Sequence, residues 1–207
     1  VSDVYQHAVE SEPEFEKHLL YIMGCLQKAF PEYFENKDIE FAQKKEISKA
    51  ERKCAREFDG NPRMLSDILR ARLHVDHPDQ IKALRTHFNE KAKDYGIVET
   101  RDRFAVTNER GYRDLMFKIR LPDSGHVCEF RIEHKDMCDA SKRTHRIYGQ
   151  IQEIDEAAKG RDYTEEEAAQ REVLIAGCRA IHDPAAEQAG LNDLLSEEGR
   201  RAMGLDQ

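Results

Sequence analysis

Two runs of alternating residues, Gly111–Arg120 and His126–Glu133, joined by the turn LPDSG, constrain this chain more than any other stretch. Read at period two, Leu115, Phe117 and Ile119 share one side of the first run, and Tyr112, Asp114, Met116, Lys118 and Arg120 share the other. In the second run His126, Cys128, Phe130 and Ile132 lie together, opposite Glu129, Arg131 and Glu133. A hairpin with one apolar face must pack that face on something. Its charged face either turns to water, as antiparallel sheets commonly do, or forms the floor of a ligand site.

The flanks alternate between helical and strand-like patterns. Residues 1–12 are weakly patterned. From about Glu14 to Phe30, the residues Phe15, Leu19, Met23, Leu26 and Phe30 recur at helical spacing, and Pro31 ends the run. A second helix is predicted from about Asp38 to Phe58, with Ala42, Ile47, Ala50, Cys54 and Phe58 inside. Lys45, Lys49, Arg52 and Arg56 fall along one of its faces, which reads either as a solvated surface or as a clamp for a polyphosphate. Ile68–Val75 alternates as a strand, with Leu69, Ala71, Leu73 and Val75 on one side and Arg70, Arg72 and His74 on the other. Asp67 stands at its start. A helix follows from about Pro78 to Lys93, then Ile97–Thr100 and Arg103–Val106 as short strands or one interrupted strand. After the hairpin, Lys135–Lys159 is a long helix. Thr164 and Glu167 form a capping box for another, running to about Ile181 and broken at Asp183–Pro184. Helices, then strands mixed with helices, then helices: the order implies an α+β domain with a mixed sheet and extra helices at both ends. The expected division is a helical segment 1–36, a central domain 37–160 and a helical extension 161–207.

A chain of 207 residues can bury a real core. The net charge of −8 argues against broad, nonspecific binding to nucleic acid but leaves room for a local basic pocket. Cys25, Cys54, Cys128, Cys138 and Cys178 are widely spaced, with no CxxC, so a zinc site is not expected. They read as buried, reduced thiols of a cytoplasmic chain, with delivery into a target cell as a secreted effector left open. No apolar run suits a membrane span and no signal peptide is evident. The first residue is Val, as in an excised domain or a processed product.

The polar sides of the predicted strands bring both signs of charge together with an aromatic. Arg70, Arg72 and His74 come from one strand, Tyr112, Asp114 and Lys118 from a second, and Glu129, Arg131 and Glu133 from a third. Cations hold phosphates, carboxylates hold Mg2+ and an aromatic ring stacks on a base, so this composition suits a nucleotide site. It equally describes a salt-bridged open face.

Five short motifs in order resemble a known family. Asp67-Ile-Leu-Arg-Ala-Arg72, Arg101-Asp102, Gly111-Tyr112-Arg113-Asp114, Glu129-Phe-Arg-Ile-Glu-His134 with Met137, and His145-Arg-Ile-Tyr148 look like the synthetase domain of the RelA/SpoT proteins, in a divergent Gly-Tyr-Arg-Asp form, over about residues 40–155. The resemblance implies a sheet of about five strands packed with helices. It also implies a pyrophosphokinase that moves the β,γ-pyrophosphate of ATP to a ribose 3′-hydroxyl, as an alarmone synthetase or a translation-blocking toxin. By the same resemblance, Asp67 and Glu129 are catalytic and hold Mg2+. Lys45, Lys49, Lys53, Arg72 and Arg101 bind ATP phosphates, and Tyr112 and His145 face the acceptor. Thr107-Asn108, Asp114-Leu115-Met116, Arg131 and Glu133 depart from the family pattern, all on the acceptor side. They point away from GDP or GTP and leave a different nucleotide or a tRNA end as acceptor. Implied partners are an antitoxin or a second copy of the chain, with no membrane. The alternatives are a non-catalytic nucleotide- or protein-binding module of this fold, and nucleotidylation of a protein target.

Overall fold

The computed structural model describes residues 1–205. The architecture is α+β, a mixed five-stranded sheet packed with helices. The helices are α1 (Ser2–Ala29), α2 (Pro31–Phe34), α3 (Ile47–Glu57), α4 (Pro78–Glu90), α5 (Lys135–Ala157), α6 (Glu165–Gln188) and α7 (Glu197–Ala202). The strands are β1 (Glu40–Phe41), β2 (Arg70–Val75), β3 (Ile97–Asp102), β4 (Leu115–Arg120) and β5 (Val127–His134), in spatial order β1-β2-β5-β4-β3. The chain divides into two compact units. The first comprises residues 1–75, 80–101 and 115–132, and the second 76–79, 102–114 and 133–207.

In the first unit the expected hairpin forms with Phe117 opposite Phe130 and Lys118 opposite Glu129. Leu115, Phe117, Ile119, Cys128, Phe130 and Ile132 are all buried, as their alternation requires. Phe88 of α4 stacks on Phe117 with ring centroids 4.4 Å apart and lies 6.0 Å from Phe130. Leu69, Ala71, Leu73 and Val75 extend the same core under β2. At the turn, the Glu14 carboxylate accepts the backbone N–H groups of Asp123 and Ser124, at 2.7 and 3.0 Å, which ties α1 to the hairpin.

Several boundaries differ from the sequence expectation. The first helix does not wait for Glu14: α1 starts at Ser2 and runs through Pro13. Ala8, Ser11, Phe15, Leu19, Ile22 and Leu26 form one buried stripe on both sides of the proline, and that packing outweighs the single ladder bond proline removes. The helix expected from Asp38 is replaced by β1, which pairs antiparallel with β2 (Glu40 with Arg72, Phe41 with Ala71), so α3 begins only at Ile47. Ala50 and Cys54 keep their inward places, while Ile47 is exposed. Arg103–Val106 is a turn, not a strand: Asp102 Oδ1 accepts the N–H groups of Phe104 and Ala105, both at 3.0 Å.

In the second unit, Thr164 and Glu167 make the expected reciprocal capping box. α6 then continues past Asp183–Pro184 to Gln188, because Ile175, Cys178, His182 and Ala186 form a buried face that spans the proline. Ile151 of α5 packs with Ile175 and Cys178. Cys54, Cys128 and Cys178 are buried as expected, whereas Cys25 and Cys138 are half-buried, and all are free thiols. No helix among the described residues is long and apolar enough to cross a membrane.

Two measurements check this packing. Phe88→Ala is expected to lower the free energy of chemical unfolding by about 3–5 kcal/mol, the usual cost of emptying a buried aromatic site. His126 is 5% exposed, its Nε2 is buried without a partner among the described residues, and the exposed His7 ring packs edge-on against it. Burial, helped by His7 and opposed by Glu14, lowers its pKa to about 4. The unfolded chain therefore takes up a proton near pH 6.5 that the folded chain refuses until about pH 4. This histidine's contribution is complete above pH 6.5 and is lost as pH falls toward 4, by about 3 kcal/mol in all. Unfolding midpoints of His126→Gln measured across that window should fall less steeply than those of the parent chain.

Candidate active site

The first unit builds its polar centre around Asp67. The buried side chains of Leu65, Ile68 and Leu69 draw this stretch inward, and Asp67 itself is 6% exposed. Simple alternation from β2 would aim Asp67 at the core. The strand ladder begins only at Arg70, however, and the bend at residues 68–69 frees Asp67 from that alternation. Its Oδ2 accepts hydrogen bonds from both Lys45 and Lys53, the second at 2.7 Å. Its Oδ1 is buried with no partner among the described residues.

Lys45 precedes α3 in an extended segment that runs beside the start of β2. Its N–H reaches the Ile68 carbonyl at 3.3 Å, and the Ala42 N–H reaches that of Arg70 at 3.0 Å. Helical spacing from Lys45 to Lys49 therefore does not apply. Lys53, on α3, joins Lys45 at Asp67, while Lys49 stands at the surface against Glu46. Electrostatics follows from two cations sharing one anion. Burial opposes charge on Asp67, yet the Lys53 and Lys45 ammonium groups prevail and hold its carboxyl below the usual range. Lys45 shifts down instead, because burial outweighs the attraction of Asp67 and both Lys53 and Arg70 repel it.

Glu129 lies on β5, next to β2, and its N–H donates to the Leu69 carbonyl at 3.1 Å. It is 5% exposed, and its Oε1 accepts from Arg131 Nε at 2.7 Å. The two carboxylates thus sit on adjacent chain segments. An unpartnered, buried carboxylate oxygen is the hard donor that Mg2+ prefers, so the residues present fit such an ion. The other expected phosphate ligands are dispersed. Arg72 lies 3.3 Å from Glu40, which also takes His74 at 3.0 Å. Arg101 is half-exposed and paired with Glu99, whose second oxygen takes Lys118. One cation close to Lys45 was not among the expected ligands. Arg70 donates through Nη2 to the Gln43 carbonyl and keeps a buried Nε without a partner among the described residues. Its only sequence signal is its place on the polar side of β2.

The second unit holds the Gly111-Tyr112 loop. β4 starts at Leu115, so Asp114 escapes the polar face assigned to it. It is fully buried and takes a two-pronged bond from Arg103, at 2.6 and 2.9 Å, which leaves it neutralised rather than available to a metal. The Arg103 guanidinium also lies 5.4 Å from the Tyr112 ring centroid. The Tyr112 hydroxyl donates to Glu133 at 3.2 Å. Gly111 has φ +74°, and a Cβ there would collide with the Asp183 carboxylate of α6, so no side chain fits. His182, also on α6, donates from Nδ1 to the Arg110 carbonyl at 2.7 Å, while the Thr144 hydroxyl lies 3.1 Å from its Nε2. Its ring meets that of Tyr112 edge-on at 5.8 Å. His145 is exposed on α5, and Tyr148 one turn later carries the Arg110 guanidinium 3.8 Å above its ring. His182 and Asp183 were invisible as site residues, since nothing in a helical pattern links them to a distant glycine.

The same architecture occurs in solved structures. The complex of the Type VI effector Tas1 with its immunity protein aligns over 90% of this chain and 96% of that one, at 15% identity and TM-score 0.58. This is a RelA/SpoT-like synthetase fold. A GTP pyrophosphokinase family protein from Streptococcus pneumoniae aligns over 90% and 94%, at 16% identity and TM-score 0.54. The small alarmone synthetase 1 of Bacillus subtilis, bound to its product pppGpp, aligns over 90% and 93%, at 17% identity and TM-score 0.52. At such identities the likeness establishes the pyrophosphokinase-like fold. No protein-family description matches the chain, and no curated protein matches it.

The RelA/SpoT-like fold here depends on a buried ion pair at its aromatic loop. Asp114→Ala should destabilise the chain by about 3–5 kcal/mol in urea unfolding, because it strands the Arg103 guanidinium. The double variant Arg103→Met/Asp114→Leu should recover much of that loss.

Proposed function

We propose that the protein is a Mg2+-dependent pyrophosphokinase that transfers the β,γ-pyrophosphate of ATP to the 3′-hydroxyl of a nucleotide or of a tRNA end. The observation that carries this reading is Asp67, a buried carboxylate gripped by two lysines with one oxygen left unpartnered, in a fold shared with alarmone synthetases and an effector. In this reading Asp67 and Glu129 hold the Mg2+, which neutralises charge on the transferred phosphates. Lys45 and Lys53, with Arg70, Arg72 and Arg101, bind phosphate oxygens, and Lys49 is an outlying member of the set. Glu129 accepts the proton of the acceptor hydroxyl as that oxygen attacks the β-phosphorus. The bond from the β-phosphorus to the bridging oxygen breaks, and AMP leaves. Tyr112 stacks on the acceptor base, and His145 serves the acceptor from the surface of α5. Lys49 and Arg52 expose positive charge on α3, which supports a tRNA acceptor despite the net charge of −8. The tRNA version is a toxin that stops translation and calls for a cognate antidote protein.

Incubation with labelled ATP, Mg2+ and a panel of nucleotides and tRNA tests the reading. AMP released together with a pyrophosphorylated acceptor is the expected result. Label on the protein itself, or ATP bound without turnover, would replace it with nucleotidylation or with a binding module. Glu129→Gln should reduce turnover by about a hundredfold or more while leaving the melting temperature near that of the parent. Tyr112→Ala should raise KM for the acceptor by about tenfold, without a matching loss in affinity for ATP.

A further inference from the structure

Two ammonium groups share the Asp67 carboxylate; Lys53 also has Glu57 3.6 Å away, whereas Lys45 has Asp67 alone among the described residues, so positive charge on Lys45 is only partly compensated. The side chains of Lys45, Lys53 and Asp67 are 15%, 22% and 8% exposed, so water offsets little of it. Arg70 adds a second positive charge close enough to repel Lys45, and its backbone is bonded to the segment that carries Lys45. Excess charge in a mostly buried setting is costly unless something neutralises it. The cluster is unsatisfied in both senses. Among the described residues, Arg70 Nε is a buried donor without an acceptor, and Asp67 Oδ1 is a buried acceptor without a donor.

A bare divalent cation would answer only Oδ1, and would meet the repulsion of two adjacent ammonium groups. A bare polyphosphate would draw the ammonium groups away and leave the Asp67 carboxylate facing phosphate oxygens with no counter-charge. A metal–polyphosphate complex answers both needs at once. We propose that Lys45 and Lys53 are placeholders: they hold Asp67 in the ligand-free chain, and when a nucleoside triphosphate arrives with its divalent cation both ammonium groups pass to phosphate oxygens while Asp67 passes to the metal. Lysine suits the exchange because its charge rides on a flexible stem with no fixed fork geometry. Lys53 already has a second carboxylate, Glu57, 3.6 Å away. The consequence is strong positive coupling: cation and nucleotide each bind weakly alone and tightly together, by the same factor in either order. The inference rests on the reading above that Asp67 is a metal ligand, and names Lys45 and Lys53 as the residues that couple the two ligands.

The test needs no turnover. Mn2+ binding to the full chain is followed by the loss of the free-ion electron paramagnetic resonance signal. Binding of the α,β-methylene analogue of ATP, which cannot release AMP, is followed by equilibrium dialysis with Mn2+ or with EDTA. The parent chain should bind the analogue at least about tenfold more tightly with Mn2+ than without. Lys45→Met should bind Mn2+ alone about tenfold more tightly than the parent, with reduced coupling, and Lys45→Arg should restore weak binding of the bare ion. Lys53→Met provides a second version should Lys45→Met fold poorly. Unchanged or weaker binding of Mn2+ alone in both methionine variants would overturn the placeholder role. Asp67→Asn separates the two levels. If it leaves Mn2+ binding with the analogue intact, the metal assignment of Asp67 fails. If it abolishes that binding while the lysine variants behave like the parent, the exchange alone fails.

Discussion

The pairing of β5 with β2, extended by the hydrogen bond from the Glu129 N–H to the Leu69 carbonyl, joins two stretches that lie far apart along the chain. It sets β5 beside the start of β2 and so fixes which side chains share a neighbourhood. Once that register is set, period two does the rest. Cys128, Phe130 and Ile132 go into the core with Leu69, Ala71 and Leu73, and Glu129 is turned the other way. A slip of one residue would turn Glu129 and Arg131 into the apolar core and remove the phenylalanine that packs near Phe88. The apolar side therefore enforces which way Glu129 faces, with no interaction required of the carboxylate itself.

Charge is organised on two levels. Exposed pairs such as Lys49–Glu46, Lys91–Asp94 and Lys142–Asp139 contribute little, because water and salt screen them. The buried groups behave differently. Arg103 and Asp114 match one charge with one charge through two hydrogen bonds, and this pair stiffens its loop. At Asp67 one carboxylate serves two ammonium groups through a single oxygen and keeps the other unpartnered among the described residues, which is the reason to regard it as a place for ligands rather than as a staple. An acidic chain keeps a small region of net positive charge only where the fold holds the cations together at some cost in stability.

The sequence made the periodic parts legible. The hairpin, the alternating face of β2, the capping box of Thr164 and the inner face of α4 all follow from side-chain spacing; burial alternates cleanly in β2, whereas in the hairpin Met116, Glu129 and Glu133 on the polar side are buried as well. One proline misled. Pro184 read as a boundary, yet the buried stripe of α6 crosses it without interruption, as that of α1 crosses Pro13. β1 was missed because two residues carry too little pattern to compete with a basic, helix-favouring stretch; its pairing with β2 is a tertiary decision. The same error placed Lys45, Lys49, Arg52 and Arg56 on one helical face. Lys45 reaches Asp67 because it is extended, whereas Lys49 is helical and exposed. Arg70 went unnoticed as a member of the cluster, since alternation says which side a residue faces and not which neighbour it meets.

The aromatic loop shows why an irregular segment resists reading from sequence. Residues 102–114 have no repeat, and their conformation is imposed one contact at a time. Asp102 and Asn108 turn the backbone, Gly111 makes room for Asp183, and His182 holds the Arg110 carbonyl. Ser196 and Gly199 close on Ala105, and Arg113 is fully buried against Asn192 and Met203. Nearly all of these partners come from α6 and the segment after it. The C-terminal third is thus the scaffold of the loop that carries Tyr112, and not an appendage to it. A change in α6 can therefore reshape what Tyr112 meets, because His182 and Asp183 of that helix hold the loop at Arg110 and Gly111.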